Sequence, residues 1–319
     1  MTRIDLKTMC EEVLSGPLAL AIGNFDGVHI GHRALLARVR EAAEALRGEI
    51  PNIRTGVWCF AQPPSAFLSD KPVPQLSTTE EKLACFADAG IDCCILADFP
   101  SLKDCPPERF VREVLLDACD CRHVVCGFNF TFGARGQGNA DTLRRHFGDA
   151  LTVVEPICLE DRVVSSTAVR CALTEGDAEG AAAMLGRRWS VCLPVLHGKA
   201  LGRRLGFPTV NQRFPAGHIL PAFGVYATLC EIDGVCHPAV TNVGIRPSVD
   251  DGNAVTCESH ILDLDADLYG RDIRVHFCTY LRTEQKFESL AALEAAIQED
   301  IAGTRRYFGA TAQMKEGKA

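Results

Sequence analysis

Short apolar runs alternate with amphipathic stretches over the first 186 residues of the chain. Runs such as LALAI, RTGVWCF and IDCCILADF have the length and bulky content of buried strands, and apolar residues between them recur at helical spacing. Sequences such as LSTTEE mark helix starts. This alternation predicts a parallel sheet with helices on both faces, which binds ligands at the carboxyl ends of its strands.

The pattern changes after Ser190. Five strand-like runs follow one another with turns and without helices between them: SVCLPVL, GVYATLCEI, HPAVTNVGI, VTCESHILDL and IRVHFCTYL. They predict an antiparallel barrel or sandwich. The stretch SLAALEAAIQEDIAGTRRYF then has the spacing of one terminal helix. We therefore predict two domains, residues 1–186 and residues 187–319.

Composition narrows the class of protein. The chain has 319 residues, of which 47% are hydrophobic and 23% charged, as in globular proteins with two cores. Its net charge of −8, without a long Lys/Arg stripe, argues against nucleic acid as a partner. No apolar run has the roughly 18 residues of a membrane helix, and the first residues lack a signal layout. We expect a cytoplasmic protein that does not bind membranes.

Sixteen cysteines are scattered along the chain, and no two of them form a C-x-x-C pair. Cys93, Cys94, Cys126 and Cys192 lie within apolar runs. We expect most of the thiols to be buried and reduced and to pack as small hydrophobic side chains. This spacing does not predict a zinc site.

The strongest candidate for chemistry is the sequence GNFDGVHIGH, between the first apolar run and the first helix. His29 and His32 fall at the start of the helix, where free backbone N–H groups and the helix dipole bind anions. Gly23, Gly27 and Gly31 allow the backbone to approach a phosphate closely. The imidazoles add donors for charge that develops on the phosphate. The alternative is that both histidines only cap the helix.

Two later stretches also follow strands of the predicted sheet. CGFNFTFGARGQG carries Phe128, Phe130 and Phe132, whose rings suit stacking on a flat ligand, although Phe130 fits a core position slightly better. VVSSTAVR places hydroxyl groups at a helix start, with Arg170 one turn further on as a phosphate clamp. A plain helix cap would have the same Ser-Ser-Thr sequence.

The second domain has its own candidate site. The loop HGKALGRRLGFPTVNQ joins glycines and cationic side chains, which suit a polyphosphate, to Thr209 and Asn211, whose oxygens suit Mg²⁺. Glu258 lies on the predicted strand VTCESHILDL, where the pattern alone is equally consistent with an exposed strand residue. Asp263, Asp265 and Asp267 lack the glycine and distal glutamate of a calcium loop, and we interpret them as a turn.

The first stretch resembles the H-x-G-H signature of nucleotidyltransferases, and the whole of GNFDGVHIGH is similar to the bifunctional bacterial riboflavin kinase/FMN adenylyltransferase family. The SSTAVR sequence resembles the second signature of the same group, and GRRLGFPTVN resembles the riboflavin kinase motif with only Val210 replacing alanine. The resemblance extends from about Pro17 to Phe308. It implies an α/β nucleotidyltransferase-type, Rossmann-like first domain and a β-barrel second domain with a terminal helix.

The resemblance implies two reactions, with ATP as co-substrate and Mg²⁺ as metal. The second domain would phosphorylate riboflavin to FMN, with Glu258 as general base and Thr209 and Asn211 at the Mg²⁺. The first would adenylylate FMN to FAD and release pyrophosphate, with His29 and His32 stabilising the transition state. Riboflavin, FMN, FAD and ATP are then the ligands, and homo-oligomerisation is left open.

The resemblance also assigns binding residues. For the nucleotide these are Gly23, Phe25, Asp26, Gly31, Asn129, Ser165, Ser166, Thr167, Arg170, Gly198, Lys199, Gly202, Arg203, Gly206, Pro208, Thr209 and Asn211. For the flavin they are Phe128, Phe130, Arg246, Arg282 and Phe287.

The chain departs from the family pattern at Pro63, where a histidine is usual, and at the junction Gly186-Arg187-Arg188-Trp189. Pro63 motivates one alternative, a monofunctional riboflavin kinase whose first domain binds nucleotide without turnover. The intact histidine and SSTAVR sequences argue against it. A flavin-binding regulator without catalysis is a second alternative, against which Glu258, Thr209 and Asn211 argue. A third, an adenylyltransferase for another phosphate, is disfavoured by the riboflavin kinase motif.

Overall fold

The computed structural model of the chain describes residues 1–6, 16–197, 202, 205–248 and 252–316. It divides into two compact units, Met1–Ser166 and Thr167–Ala319. Within the described residues, no helix combines the length and the apolar character that crossing a membrane requires.

The first unit is built on a six-stranded sheet. Its strands are β1 (Thr2–Leu6), β2 (Leu18–Ile22), β3 (Arg54–Phe60), β4 (Cys93–Ala97), β5 (Cys121–Gly127) and β6 (Leu151–Val154). Their order is β1-β4-β3-β2-β5-β6, and every neighbouring pair is parallel. From β2 the chain builds outward through β3 and β4, and β5 then starts the other half. The switch point, where such sheets bind ligands, therefore lies between β2 and β5.

Helices cover both faces of this sheet, as predicted. They are α1 (Ile30–Leu46), α2 (Ser65–Leu68), α3 (Thr79–Asp88), α4 (Phe99–Leu102), α5 (Pro107–Arg109) with the π-helix Phe110–Ala118, and α6 (Ala140–Phe147). Alternate residues of β2 enter two separate cores, Leu20 on one face and Ala21 on the other. Two 3₁₀ turns (Ala134–Gly136 and Gly148–Ala150) and a hairpin of β7 (Cys158–Leu159) and β8 (Arg162–Val163) complete the unit.

The second unit is an antiparallel barrel, as predicted. Its strands are β9 (Ser190–Pro194), β10 (Val210–Arg213), β11 (Gly224–Ile232), β12 (Val235–Ser248), β13 (Gly252–Ile261) and β14 (Asp272–Arg282), and its helices are α7 (Ser166–Glu175), α8 (Ala178–Leu185) and α9 (Leu290–Glu316). The strand order is β10-β13-β12-β11-β14-β9.

The two edge strands of the barrel nearly close on each other. The Leu196 amide donates to the Asn211 carbonyl at 2.7 Å. The buried side-chain amide of Gln212 donates to the carbonyls of Leu193 and Ile273, at 2.5 and 2.8 Å. These bonds hold β10, which carries Asn211, against the opposite edge of the sheet.

Three features differ from the sequence pattern. Asn211 lies on β10 rather than in the loop that we predicted there, because the barrel closes through this short strand. Cys192 is exposed although its run is apolar, since it alternates with buried Val191 and Leu193 on an edge strand. β1 was not indicated by its pattern. The helices α7 and α8 group with the second unit, and the predicted domain boundary at residue 186 stays a prediction.

Candidate functional site

The histidine turn, residues 23–32, connects the end of β2 to α1. His29 is the N-cap of α1, and its Nδ1 accepts a hydrogen bond from the His32 backbone N–H at 3.3 Å. The two imidazole rings stack with centroids 3.6 Å apart and planes inclined by 18°. The capping alternative is thus partly correct for His29. The same geometry holds both rings side by side at the positive end of the helix.

The backbone of the histidine turn is strained. Phe25 and Val28 have φ values of +51° and +42°, although neither is glycine, and a β-branched residue rarely adopts this region. Gly31 is tightly packed, because a Cβ there would lie 3.1 Å from the His29 ring. Strain of this kind persists where the surrounding structure fixes a functional geometry. The turn therefore has a defined conformation.

His32 is half-buried in the protein. It contacts the ring of Phe25, which is itself fully buried in the core. Burial, with the nearby charges of His29 and Lys82, lowers the pKa of His32 well below its usual value. Its buried Nδ1 has no hydrogen-bond partner among the described residues. A neutral imidazole with a free nitrogen at this position can serve an incoming ligand.

Lys82 was not predicted as a site residue. It lies on α3, its side chain and backbone together are only 4% exposed, and its charge acts on His32. Buried ammonium groups usually have an anionic partner. The described residues provide no ion pair for it. The available signal was its spacing from Phe86 on the buried face of α3, where a lysine is unusual.

A network of hydrogen bonds joins the histidine turn to later segments. The Asp26 carboxylate accepts from the backbone amides of Leu76 and Ser77, at 3.0 and 3.3 Å. The Ser166 hydroxyl donates to the Asp26 carbonyl at 2.8 Å. The structure therefore brings the adjacent residues Ser165 and Ser166 to the turn. Asp26 acts there as a structural clamp. Thr167 and Arg170 lie on α7 and are described with the second unit.

The loop after β5 carries the aromatic residues. Phe128 is 47% exposed, Asn129 is exposed beside it, and Phe130 is half-buried. The Phe130 ring stacks on Phe132 at 5.8 Å and packs against the core. Phe128 is thus the ring available to a ligand. Because β2 and β5 are neighbours, this loop and the histidine turn leave the same edge of the sheet.

The second unit contains a cavity of about 430 Å³, which we call the barrel cavity. It is lined by Gly202, Leu205, Phe207, Thr209, Asn211, Val225, Val240, Asn242, Glu258, His260, Arg282, Glu284, Gln285, Phe287, Leu293, Ile297 and Asp300. Six predicted site residues are among them. Gly198, Lys199 and Arg203 lie outside the described residues, as does the side chain of Arg246.

Glu258 occupies the centre of a polar row in the barrel cavity. On β13 it pairs with Asn211 of β10 on one side and with Asn242 of β12 on the other. Asn242 in turn donates to Glu284 at 3.1 Å. A carboxylate flanked by amides, in a cavity that Thr209 also lines, offers oxygen donors of the kind that Mg²⁺ prefers.

Arg282 is held by a residue that we did not predict. Its guanidinium donates to both carboxylate oxygens of Asp300 on α9, at 2.9 and 2.7 Å. Asp300 is buried, and the Arg282 Cζ lies 5.7 Å from the centroid of the Phe287 ring. The ion pair fixes Arg282 against the apolar part of the barrel cavity.

A second cavity of about 350 Å³ lies on the other side of Thr209. Pro208, Asp265 and Tyr269 are among the residues that line it. The Pro208 carbonyl contacts the His260 Nδ1 at 2.8 Å, and Gly206 is exposed with a φ of +82°. Thr209 thus lines both cavities.

Comparisons with known proteins account for both units. A FAD synthetase family model matches residues 12–168, and a riboflavin kinase family model matches residues 185–308. The chain is 36% identical over 288 residues to a bifunctional riboflavin kinase/FMN adenylyltransferase from Pseudomonas fluorescens, covering 89% of this chain and 91% of the relative. The chain belongs to the bifunctional riboflavin kinase/FMN adenylyltransferase family. The resemblance that the motifs indicated is confirmed.

Other members of the riboflavin kinase/FMN adenylyltransferase family agree. The protein of the same name from Escherichia coli K12 is 36% identical over 303 residues, with 92% and 93% of the two chains covered. That of Listeria monocytogenes is 32% identical over 294 residues, with 91% and 92% covered. A solved structure described as a macrolide-efflux protein from Streptococcus pneumoniae has a TM-score of 0.86 and 27% identity, covering 96% of this chain and 99% of the other.

Proposed function

We propose that this protein catalyses both reactions that the name of its relatives describes, riboflavin phosphorylation and FMN adenylylation. The barrel transfers the γ-phosphoryl group of ATP to riboflavin and forms FMN, and the first unit transfers an adenylyl group from ATP to FMN and forms FAD and pyrophosphate. This proposal rests on the observation that each unit has its own set of reactive side chains. These are Glu258 between two amides in the barrel, and the stacked His29 and His32 above the sheet.

In the barrel cavity, Glu258 acts as general base on the primary hydroxyl of riboflavin. It takes the proton while the oxygen attacks the γ-phosphorus and the bond to ADP breaks. Arg282 and Phe287 bind the flavin ring. Thr209 and Asn211 hold the metal, which we propose to be Mg²⁺ because all the donors are oxygens. When bound, this cation neutralises charge on the phosphates.

In the first unit, a phosphate oxygen of FMN attacks the α-phosphorus of ATP and pyrophosphate leaves. His29 and His32 donate hydrogen bonds to the charge that develops there, and the neutral ring of His32 can do so without a counter-ion. Ser165, Ser166, Thr167 and Arg170 bind the triphosphate, with Asn129 on the nucleotide and Phe128 stacked on a flat ring. The ammonium of Lys82 stabilises the same charge from within the protein, since a buried cation gains most from an anionic substrate.

We further propose that riboflavin, FMN, FAD and ATP are the ligands, that nucleic acid is not, and that the protein works in the cytoplasm. The acidic net charge and the scattered cysteines support this. Gly198, Lys199 and Arg203 lie outside the described residues, and their proposed role in nucleotide binding rests on the motif alone.

The second candidate is a monofunctional riboflavin kinase. It is favoured by Pro63, which stands where the family usually has a histidine and has no polar side-chain atom to offer to a ligand. In that case the first unit would bind ATP and FMN without producing FAD.

The two candidates are separated by a chromatographic time course with riboflavin, ATP and Mg²⁺. We expect wild type to form FMN and then FAD. We expect Glu258→Gln to lower FMN formation by about 10²–10⁴-fold while FAD still forms from added FMN. The double variant His29→Ala/His32→Ala should stop at FMN. Accumulation of FMN without FAD in wild type would favour the monofunctional kinase, and the absence of any product would contradict both candidates.

A further inference from the structure

One cluster of metal-binding side chains lies outside both sites. Glu231 of β11, Cys236 of β12 and His276 of β14 each direct one ligand atom to the same place, and these atoms lie within 4.8 Å of one another. Within the described residues, no other group of three or more His, Cys, Asp or Glu side chains approaches so closely. The proposed kinase reaction uses none of the three.

The register of the barrel creates this cluster. Glu231 pairs with Cys236 on one side and with Arg274 on the other. His276 lies two residues beyond Arg274 and therefore on the same face of β14. Its Nε2 is 3.0 Å from the Glu231 carboxylate. The opposite ends of β11 and β14 line the barrel cavity, through Val225 and Arg282, so the cluster is separate from that cavity.

The three side chains have the chemistry of a zinc site. Zn²⁺ binds imidazole, thiolate and carboxylate at about 2.0–2.3 Å, which places tetrahedral ligand atoms roughly 3.3–3.6 Å apart. The His276 Nε2 lies 3.0 Å from the Glu231 carboxylate oxygen, and all three ligand atoms lie within 4.8 Å of one another. These distances are close to the spacing that Zn²⁺ requires. Small side-chain rotations are then sufficient to complete the coordination.

The exposure of the three side chains also suits a metal. Glu231 and His276 are half-buried on the barrel surface. Cys236 is exposed, so a metal can reach the thiol, and binding releases its proton.

We propose that Glu231, Cys236 and His276 form a binding site for a divalent cation of the Zn²⁺ class, with three protein ligands and a fourth position for water. The thiolate and the carboxylate supply two negative charges. Arg274, the strand neighbour of Glu231, donates a hydrogen bond to the Ser190 hydroxyl at 3.3 Å. Mg²⁺ does not compete, because a thiolate is too soft a ligand for it.

The test is a Co²⁺ titration of the full-length, chelator-treated protein in excess Mg²⁺, followed by absorption spectroscopy. We expect one tightly bound Co²⁺ per chain, with tetrahedral d–d bands and a thiolate-to-cobalt charge-transfer band. Zn²⁺ should displace the Co²⁺ and remove both signals. His276→Gln should weaken binding by at least about tenfold, since even outer-shell partners of a metal are worth that much.

Two serine variants make the assignment specific. Cys236→Ser should abolish the charge-transfer band, while Cys158→Ser, which removes an exposed thiol of the first unit, should leave it unchanged. Far-ultraviolet circular dichroism and the rate of riboflavin phosphorylation report whether each variant is folded. A charge-transfer band that survives in Cys236→Ser, or a wild-type protein without tetrahedral bands, would overturn the proposal.

Discussion

At the scale of single residues, the chemistry of the histidine turn depends on where water is excluded. His32 packs against Phe25 and the His29 ring, and burial lowers its pKa. A histidine with a lowered pKa stays neutral as the pH falls through 6.5, the usual pKa of the side chain. In the reaction that we propose, His32 therefore acts as a neutral hydrogen-bond donor and not as a cation.

This leads to a pH prediction for FAD formation from FMN and ATP. The neutral form of His32 is the active one, and it persists until the pH falls to the lowered pKa. Between pH 8 and pH 6, we expect no decrease in kcat from protonation of His32. Riboflavin phosphorylation by the same samples controls for the ionisation of ATP. A limb near pH 6.5 that disappears in His32→Asn would contradict the prediction.

A second prediction concerns Lys82. Replacing it with methionine removes a buried charge while keeping a chain of similar length. We expect Lys82→Met to lower kcat for FAD formation by about a hundredfold, in the range of other lost electrostatic groups. Its thermal midpoint should not fall, because a buried charge gives way to an apolar side chain.

Lys103→Met is the matched control, since Lys103 is an exposed lysine at the end of a neighbouring helix in the same unit. Both variants should phosphorylate riboflavin at the wild-type rate. If Lys82→Met forms FAD as fast as Lys103→Met, Lys82 has no role in adenylyl transfer.

At the scale of elements, the hydrophobic pattern predicted most strands and helices. The helices repeat their apolar residues with the helical period, and the buried strands form short continuous apolar runs. β10 was missed because VNQR is short and polar, and only the closure of the barrel makes it a strand. Over residues 107–118 the apolar residues have helical spacing, but this spacing does not distinguish the π-helix Phe110–Ala118 from an α-helix.

Site residues follow a similar rule. Those in contiguous motifs, such as His29 and Glu258, can be predicted as candidates because their neighbours in the sequence carry the signal. Lys82, Asp300 and the cluster at Glu231 were missed because their partners are distant in sequence. The geometry that unites them is fixed by strand register and helix packing, which one sequence does not display.

The contact between β14 and α9 gives a prediction at this scale. Arg282 and Asp300 join the two elements, and their side chains are 23% and 6% exposed. Asp300→Asn leaves the guanidinium without its carboxylate. We expect the free energy of unfolding to fall by about 3 kcal/mol. This value is at the lower end of the range for broken buried ion pairs, because Arg282 is partly exposed. We also expect a higher KM for riboflavin, since Arg282 lines the barrel cavity.

Glu299→Gln provides the control on the same helix. Its pair with Arg306 is 72% and 68% exposed, so breaking it should change stability by no more than about 0.5 kcal/mol. Urea unfolding followed by fluorescence, with riboflavin kinetics, tests both variants. Equal stability losses in the two would show that burial of the Arg282 pair has no consequence.

At the scale of the whole molecule, the boundary between the two units determines whether α7 and α8 belong to the barrel. The riboflavin kinase family model begins at residue 185, close to the predicted boundary at residue 186. The compact second unit begins at Thr167 and includes α7 and α8. In it, the Ala222 amide donates to the Leu173 carbonyl at 2.9 Å, and Gly176 packs against the Tyr280 ring. α8 in turn contacts β14.

Two fragments test which boundary the barrel requires. We expect residues 167–319 to fold and to phosphorylate riboflavin at a rate close to that of the full chain. Residues 187–319 lack α7 and α8, so the apolar surface that these helices cover on the barrel becomes exposed to water. Its loss should lower the thermal midpoint by several degrees, because each kcal/mol lost shifts the midpoint of a domain this size by roughly 2–8 °C.

Differential scanning calorimetry of both fragments measures this difference directly. Since α8 packs on β14, the strand that ends at Arg282, the shorter fragment should also bind riboflavin more weakly. Equal midpoints and equal KM values would place the boundary at residue 186 and reduce α7 and α8 to a linker. A less stable shorter fragment would instead make the two helices part of the kinase, so that the helix beginning with the second nucleotidyltransferase signature is also a structural element of the barrel.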